Sequence, residues 1–372
     1  MSLIAWLRKA FAPGRRTAST PSGAERLEAI LGAPLPADHD LLLDGLLDEE
    51  DAALYPLALG NLFRAQGDID HAVRLRERVL AAPDADDALK GRALFELGRD
   101  YRKAGFLDRA LTAYKEAAKH GFSSRMVAEE LMRLHADSGD FEAASTEAAR
   151  LGNHRAEACY LVFQAREEAA AGNDSEAASY LRHALAAYKG SPEAWLALVT
   201  ISLLADDGKK ALEDMRKGLA RTSASGRLIL LEGLYAFVRG PSGPGINKNS
   251  LRAFAAGLAQ GLNALSPDIT LCYYAGLMLQ LADDDAGAEQ WFTKALVLDP
   301  DFWAARLAIL ALAAGREALP PLLADQIAFF TEQGARSKRF LCPSCGMRRD
   351  TIFSQCPRCS AWHSAAFRPR LT

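Results

Sequence analysis

Four cysteines crowd into eighteen residues near the carboxyl end: Cys342, Cys345, Cys356 and Cys359, set as two C-x-x-C knuckles separated by ten residues. Two residues between cysteines let the chain turn about one metal while backbone N–H groups aim at the sulfurs. Gly346 follows the second thiolate, where a positive φ is commonly needed and glycine supplies it without steric cost. Four thiolates select tetrahedral zinc or a single iron ion. The spacing leaves no open ligand position, which favours a structural clip; a one-electron iron centre covered by Phe353 and Trp362 is the alternative. The ten-residue gap is shorter than that of a common zinc ribbon, so a compact hairpin through Thr351, Ile352 and Phe353 is expected to join the knuckles. Thirty-odd residues cannot build a stable core, and the metal must supply most of this module's folding energy. The other two cysteines, Cys159 and Cys272, sit alone in Ala/Leu-rich sequence and read as small buried hydrophobes. Cysteines gathered at one end, with no cleavable signal peptide before them, favour a reducing compartment over a disulfide framework.

A second set of residues suits binding rather than catalysis: Asn61, Arg64, Arg99, Arg102, Lys103 and Arg133. Their side chains could hold a partner's carboxylates by charge-assisted hydrogen bonds, provided that one surface gathers them. An internal repeat supplies that surface. Leu59-Gly60 with Phe63, Gly67 and Ala72, and Leu97-Gly98 with Tyr101, Gly105, Ala110, Tyr114 and Ala117, fit the tetratricopeptide pattern of two antiparallel helices in about 34 residues. The register continues through Met132, Ala165, Val199, Gly233 and Gly276, with Tyr274, Ala288, Phe292, Ala295 and Pro300 marking a strong late repeat. Only the last interval is markedly long, and it contains the turn-rich insertion at 240–249. Helices over Phe302–Ala314 and Pro321–Thr331 are expected to close the array. The predicted fold is therefore all-α: a tetratricopeptide-repeat solenoid at 25–335, its groove lined by the first helix of each repeat, followed by a rubredoxin-like or zinc-ribbon module at 336–372.

Composition fits this organisation. The 372 residues are 49% hydrophobic and 8% aromatic, which excludes collagen-like and disordered chains. The net charge of −3 is a cancellation: Arg8, Lys9, Arg15 and Arg16 stand without an acid in residues 1–24, eight basic residues against Asp350 occupy 336–372, and the middle is strongly acidic. Met1–Phe11 is too short to span a bilayer; it reads as a frayed terminus or small docking helix, with a basic amphipathic helix lying on an anionic membrane surface as the alternative. Residues 12–24 are a flexible linker. The longest apolar stretch elsewhere, Ile269–Ala282, is interrupted by Gln280 and fits a buried helix.

No catalytic constellation is visible. The seven histidines lie apart, no Gly-rich phosphate loop follows a strand, and no nucleophile elbow occurs. Acidic runs at Asp48–Asp51 and Asp283–Asp285 fall at repeat boundaries, where helix starts explain them. A basic ribbon of Arg348, Arg349 and Arg358 beside Trp362 offers nucleic-acid binding as a further possibility, though the acidic body disfavours it.

The order of parts, and the strings LGNLFRAQGDIDHAVR at 59–74, LGRDYRKAGFLDRA at 97–110, SKRFLCPSCG at 337–346 and CPRCSAW at 356–362, resemble the lipopolysaccharide assembly protein B (LapB) family. The resemblance implies a non-enzymatic adaptor on the cytoplasmic face of the bacterial inner membrane. It would bind the deacetylase LpxC, promote its degradation by the protease FtsH, and associate with inner-membrane lipopolysaccharide-assembly proteins. It also implies that Cys342, Cys345, Cys356 and Cys359 hold the metal and that their module packs against the repeats. Members of that family start with a full transmembrane helix, and the short Met1–Phe11 segment departs from this; the amphipathic reading with Arg8, Lys9, Arg15 and Arg16 would partly restore membrane contact, peripherally through residues 1–16. The insertion at 240–249 is a second departure from the family.

Overall fold

A computed structural model describes residues 54–368, apart from 84, 241–244, 264–267, 317–318, 336 and 338. The basic segment and linker at 1–24, the start of the array at 25–53 and part of the 240–249 insertion lie outside the described residues. The chain divides into two compact units, at 1–151 and 152–372.

The first unit contains three helical hairpins among the described residues: α1 (Leu54–Gln66) with α2 (Ile69–Ala81), α3 (Asp87–Lys103) with α4 (Leu107–Lys119), and α5 (Ser124–Asp137) with α6 (Phe141–Arg150). The second unit contains five more. They are α7 (His154–Ala170) with α8 (Asp174–Ala187), α9 (Pro192–Leu204) with α10 (Gly208–Arg221), α11 (Ala224–Arg239) with α12 (Lys248–Asn263), α13 (Ile269–Leu281) with α14 (Asp285–Leu298), and α15 (Trp303–Arg316) with α16 (Pro321–Ala335). Three short strands follow: β1 (Phe340–Leu341), β2 (Arg348–Arg349) and β3 (Ala366–Phe367), in the order β2-β1-β3.

Local chemistry fixes six of the eight hairpins among the described residues. Seven residues after the register position the chain turns through positive φ, at Gly67, Gly105, Gly139, Gly172, Asp206 and Asp283. The next residue often caps the second helix: Asp68, Asp140, Asp207 and Asp284 each accept the N–H three residues on. Such a cap contributes about 1 kcal/mol. Twelve residues after the register position stands an alanine, at 72, 110, 144, 177, 211 and 288, and all six are buried. Without a larger side chain there, the paired helices approach closely. Register glycines are tight for the same reason. A Cβ at Gly60, Gly98 or Gly276 would lie 2.5 Å from Arg76, Tyr114 or Phe292 of the following helix. At Gly233 it would instead meet Leu196 of α9, a first helix of another repeat.

The apolar stretch Ile269–Ala282 forms α13, and its residues from Leu271 to Leu279 are buried. Cys159 and Cys272 are both buried. The acidic run Asp283–Asp285 has the ordinary roles expected: Asp284 caps α14 and Asp283 pairs with Arg252. The main core of the second unit runs from Trp195 through α13 to Phe340, Phe353 and Ala365, so the four-cysteine module shares one core with the repeats.

Candidate metal centre and binding grooves

Each C-x-x-C knuckle is the turn of its own small hairpin. Around the first, β1 pairs with β2 (Phe340 opposite Arg349), the Cys342 N–H donates to Met347 O at 2.8 Å, and the Gly346 N–H donates to Cys342 O at 2.8 Å. Around the second, Gln355 bridges to Trp362, the Cys356 N–H donates to Ala361 O at 2.9 Å, and the Ser360 N–H donates to Cys356 O at 2.8 Å. Gly346 has φ +71° and Ser360 has φ +57°. The hairpin expected through Thr351–Phe353 is therefore replaced by one hairpin per knuckle. Positive φ after each second cysteine reverses the chain locally, so Arg348–Arg349 pair back onto β1 and Ser354 and Gln355 pair forward with His363 and Trp362.

These turns bring the four thiols together. All four sulfurs lie within 4.8 Å of one another, with Cys342 Sγ 3.7 Å from Cys359 Sγ and Cys345 Sγ 3.6 Å from Cys356 Sγ. A tetrahedron with metal–sulfur bonds of about 2.3 Å has edges of about 3.8 Å, which the two closest sulfur pairs match, so the cluster could hold one tetrahedral ion. Cys342 and Cys356 are buried, Cys345 is half-buried and Cys359 is exposed. Burial pushes the Cys342 thiol up, but the Ser364 hydroxyl and the N–H groups of Cys345 and Ser344 reverse this and hold it at about 6. The Ala361 N–H pulls Cys359 down, yet the three neighbouring thiols push it up to about 12. A cluster that already favours one thiolate is poised to exchange protons for a cation.

Buried polar contacts seat the module on the repeats. His363 Nε2 lies 3.0 Å from Glu193 Oε1, at the start of α9, and both side chains are buried. Burial pushes the Glu193 carboxyl up, but hydrogen bonds from His363 and Ser354 hold it below the usual carboxylate range. Arg339 donates to Glu232 Oε1 of α11 at 3.1 Å, and the same carboxylate accepts from Tyr274 Oη of α13 at 2.6 Å. The Trp303 indole of α15 donates to Arg368 O at 3.1 Å. Phe367 packs among Tyr273, Phe302 and Phe340. Trp362 lies edge-on to Tyr160 of α7, at 5.6 Å between centroids. It is a docking contact here, whereas Arg348, Arg349 and Arg358 of the basic ribbon are exposed.

Elsewhere, Asn61, Arg64, Arg99, Arg102, Lys103 and Arg133 all line one cavity of about 650 Å³ in the first unit, on α1, α3 and α5. Acids organise them. Glu130 is nearly buried and pairs with Arg133 at 2.9 Å, Arg102 at 3.2 Å and Arg99 at 3.7 Å. Arg64 pairs with Glu96 and Asp100, both at 2.8 Å. Burial pulls Arg64 down, but these two acids more than restore it. Burial also pushes Asp100 up against the pull of Arg76 and Arg64.

A second cavity, of about 420 Å³, lies in the second unit on α7, α8, α9 and α11 and is mostly apolar; Ala165, Leu181, Leu196, Ile201 and Phe237 are among its lining residues. Sequence reading missed it. Its available signal was the persistence of Ala, Leu and Ile at groove-facing positions of first helices, a pattern that also describes an ordinary core.

The tetratricopeptide repeat family matches the chain at residues 55–88 and 159–201. Lipopolysaccharide assembly protein B of Escherichia coli K12 is 23% identical over 334 residues, covering 87% of this chain and 83% of that protein. The Haemophilus influenzae protein of the same name is 40% identical over 58 residues, covering 16% of this chain and 15% of its own. Among solved structures, a tetratricopeptide repeat protein from Parabacteroides merdae superposes with a TM-score of 0.36 at 16% identity, covering 70% of this chain and 98% of that one. The chain thus carries tetratricopeptide repeats and a four-cysteine cluster, and it resembles the LapB family across most of its length.

Proposed function

We propose that the protein is a non-enzymatic adaptor acting in lipopolysaccharide biosynthesis, with residues 25–335 holding protein partners and residues 336–372 forming a metal-stabilised module that fixes part of the array. The observation that carries this reading is the seating of the cysteine module: Glu193 and Glu232, on two different first helices, are both committed to it. A metal there braces an array built to hold proteins, and the likeness to lipopolysaccharide assembly protein B supplies the process. The client is LpxC and the consequence is its proteolysis by FtsH, with lipopolysaccharide-assembly proteins of the inner membrane as further partners. Metal ligation by Cys342, Cys345, Cys356 and Cys359 is structural, with zinc or iron filling all four positions.

Delivery to a membrane protease places the protein at the cytoplasmic face of the inner membrane. Among the described residues no helix is long and apolar enough to cross a membrane. Contact in this reading runs peripherally, through residues 1–16. Deleting the gene in its host and measuring LpxC abundance tests the role: LpxC should rise, and an unchanged level refutes the LpxC assignment. An affinity pull-down with intact protein and with Cys356→Ser tests the module: partners are lost from the variant if the metal shapes the binding surface.

A further inference from the structure

Gln280 interrupts the apolar run of α13, and the structure gives it a setting. With Tyr273, two turns before it on the same face, it lines a cavity of about 160 Å³ in the second unit. Tyr235 and Arg239, one turn apart on α11, line the cavity too, and Arg339 of the cysteine module completes it. On α15 the lining is Ala304, Ala308 and Ala311, spaced along one stripe, and their small side chains leave the space open. Arg339 reaches Glu232 of α11, and Trp303 of α15, another lining residue, donates to Arg368 O. The cavity therefore lies on the seam where the module meets the repeats.

Its polar lining is rich in donors and short of acceptors. Arg239 donates to Tyr235 Oη at 2.9 Å, and the O–H of Tyr235 has no acceptor among the described residues. The Gln280 side-chain amide has no hydrogen-bond partner among them. Arg339 donates to Glu232 Oε1 at 3.1 Å, while its Nε–H is shut from solvent without an acceptor among the described residues. Glu232 stands outside the lining, and its other oxygen is taken by Tyr274 Oη at 2.6 Å. No carboxylate of the described residues lines the cavity, so an anion is what the donors lack. Because Arg339 is already paired, Arg239 is the cation left to balance, which suits one negative charge better than two. Size and walls decide the rest. A cavity of roughly 150 Å³ holds a benzene molecule, and here Trp303 and Tyr273, both buried, supply aromatic walls.

We propose that this seam binds a small aromatic monocarboxylate, its ring against Trp303 and the α15 alanines and its carboxylate on Arg239, the Tyr235 O–H and the Gln280 amide. A planar carboxylate matches the guanidinium fork, and it brings acceptors to the side of Arg339 as well. Arg239, Tyr235 and Gln280 belong to the repeats and Arg339 to the module, so a ligand touching both binds the docked state alone and fastens it. The site gives module docking a small-molecule input, whichever protein the repeats hold.

Calorimetric titration of full-length, metal-loaded protein with benzoate tests this, and should give a dissociation constant below about 1 mM. Benzamide keeps the size and loses the charge, and acetate keeps the charge and loses the ring; each should bind about tenfold more weakly or worse, and inorganic phosphate should not compete. Arg239 is exposed and Ala308 half-buried, so both tolerate substitution. Arg239→Gln should lose about tenfold in benzoate affinity, and Ala308→Leu should abolish binding by filling the cavity, with metal content unchanged in both. At about ten times its dissociation constant, benzoate should lower the undocked population of the module about tenfold, read as slower amide exchange in β1 and slower metal loss to chelator. Absence of benzoate binding, equal binding of benzamide, acetate or phosphate, affinity unchanged in both variants, or binding that leaves β1 exchange unaltered would each overturn the proposal. Tighter binding of a Gly-Gly-Phe peptide would assign the cavity to a chain terminus and overturn it too.

Discussion

Two substitutions that create the same close contact should differ sharply in cost. A Cβ at Gly98 would lie 2.5 Å from Tyr114 Cε1 and 2.6 Å from Cδ1, about 1 Å inside carbon–carbon contact. Tyr114 has no exposed surface, and its ring packs 5.7 Å from that of Phe95. The ring cannot swing aside, so the helices must separate, which places the cost near the upper end of overpacking, about 3 kcal/mol. Better helix propensity returns about 1 kcal/mol, leaving Gly98→Ala destabilising by about 2 kcal/mol. At Gly233 the added Cβ would also lie 2.5 Å from its neighbour, but that neighbour is Leu196 Cδ2, and the next atoms stand at 3.6 and 3.7 Å. One methyl at the end of a partly buried side chain clears by a χ rotation costing about 1 kcal/mol, which the helix gain offsets. Gly233→Ala should therefore lie within about 0.5 kcal/mol of the parent.

Urea unfolding with hydrogen exchange resolved by helix is the suitable assay, because repeat arrays open locally. Protection in α3 and α4 should fall in Gly98→Ala, and protection in α9 and α11 should hold in Gly233→Ala. Tyr114→Leu combined with Gly98→Ala should recover most of the loss relative to Tyr114→Leu alone, a coupling of about 2 kcal/mol. Equal effects at the two glycines, or no coupling with Tyr114, would refute the wedge argument.

Removing the metal with a chelator should unfold residues 337–368 and expose the faces of α9, α11 and α13 that carry Glu193, Glu232 and Tyr273, while exchange within α1 to α6 stays unchanged; elemental analysis of native protein distinguishes zinc from iron. Ser360→Gly should stabilise the module by about 1 kcal/mol, because Ser360 takes φ +57° where Gly346 takes φ +71°, and metal loss to chelator should slow. Glu193 is held below its ordinary value of 4.5, so its ionised form stabilises the docked module above that pH and the contribution disappears as pH falls through its lower folded value. Glu193→Gln should cost about 2 kcal/mol at pH 7, and the gap from the parent should close in acid. Thermal unfolding of both proteins from pH 3 to 7 measures this difference, with metal release common to both.

The metal ligands were legible because their chemistry is local: two cysteines three positions apart must share one turn. The hairpins were not, because Ser360 occupies the left-handed position that Gly346 advertises in the first knuckle, and a serine carries no such signal. The docking contacts were illegible for another reason. Glu193 and His363 are 170 residues apart, as Glu232 and Arg339 are 107 apart, and an isolated glutamate on a helix looks like solvated surface until the module is folded over it. The basic groove residues could be gathered on first helices by register alone. Their division of labour, with Glu130 and Asp100 as hubs, depends on side-chain reach across neighbouring repeats.

The weak repeats become intelligible when positions are read in pairs. Met132 and Val199 match poorly where glycine is expected, yet both are buried and both are followed after seven residues by positive φ, at Gly139 and Asp206. Sixteen residues on, the large Met132 is answered by Ala148, Ala165 by Leu181 and Val199 by Met215, whereas Gly60, Gly98 and Gly276 are answered by Arg76, Tyr114 and Phe292; every one of these answering residues is buried. What the fold requires is a summed volume between the paired helices, which several residue combinations satisfy at native packing density. Volume alone would accept a phenylalanine at position 76 as readily as an arginine. The arginine must therefore be explained by its charge, and its acceptors lead through Asn61 and Asp100 to the groove. The repeat that departs from apolar wedge filling thus ties its packing to the polar residues around it, because one buried side chain contacts Leu57 O, Asn61 and Asp100 at once.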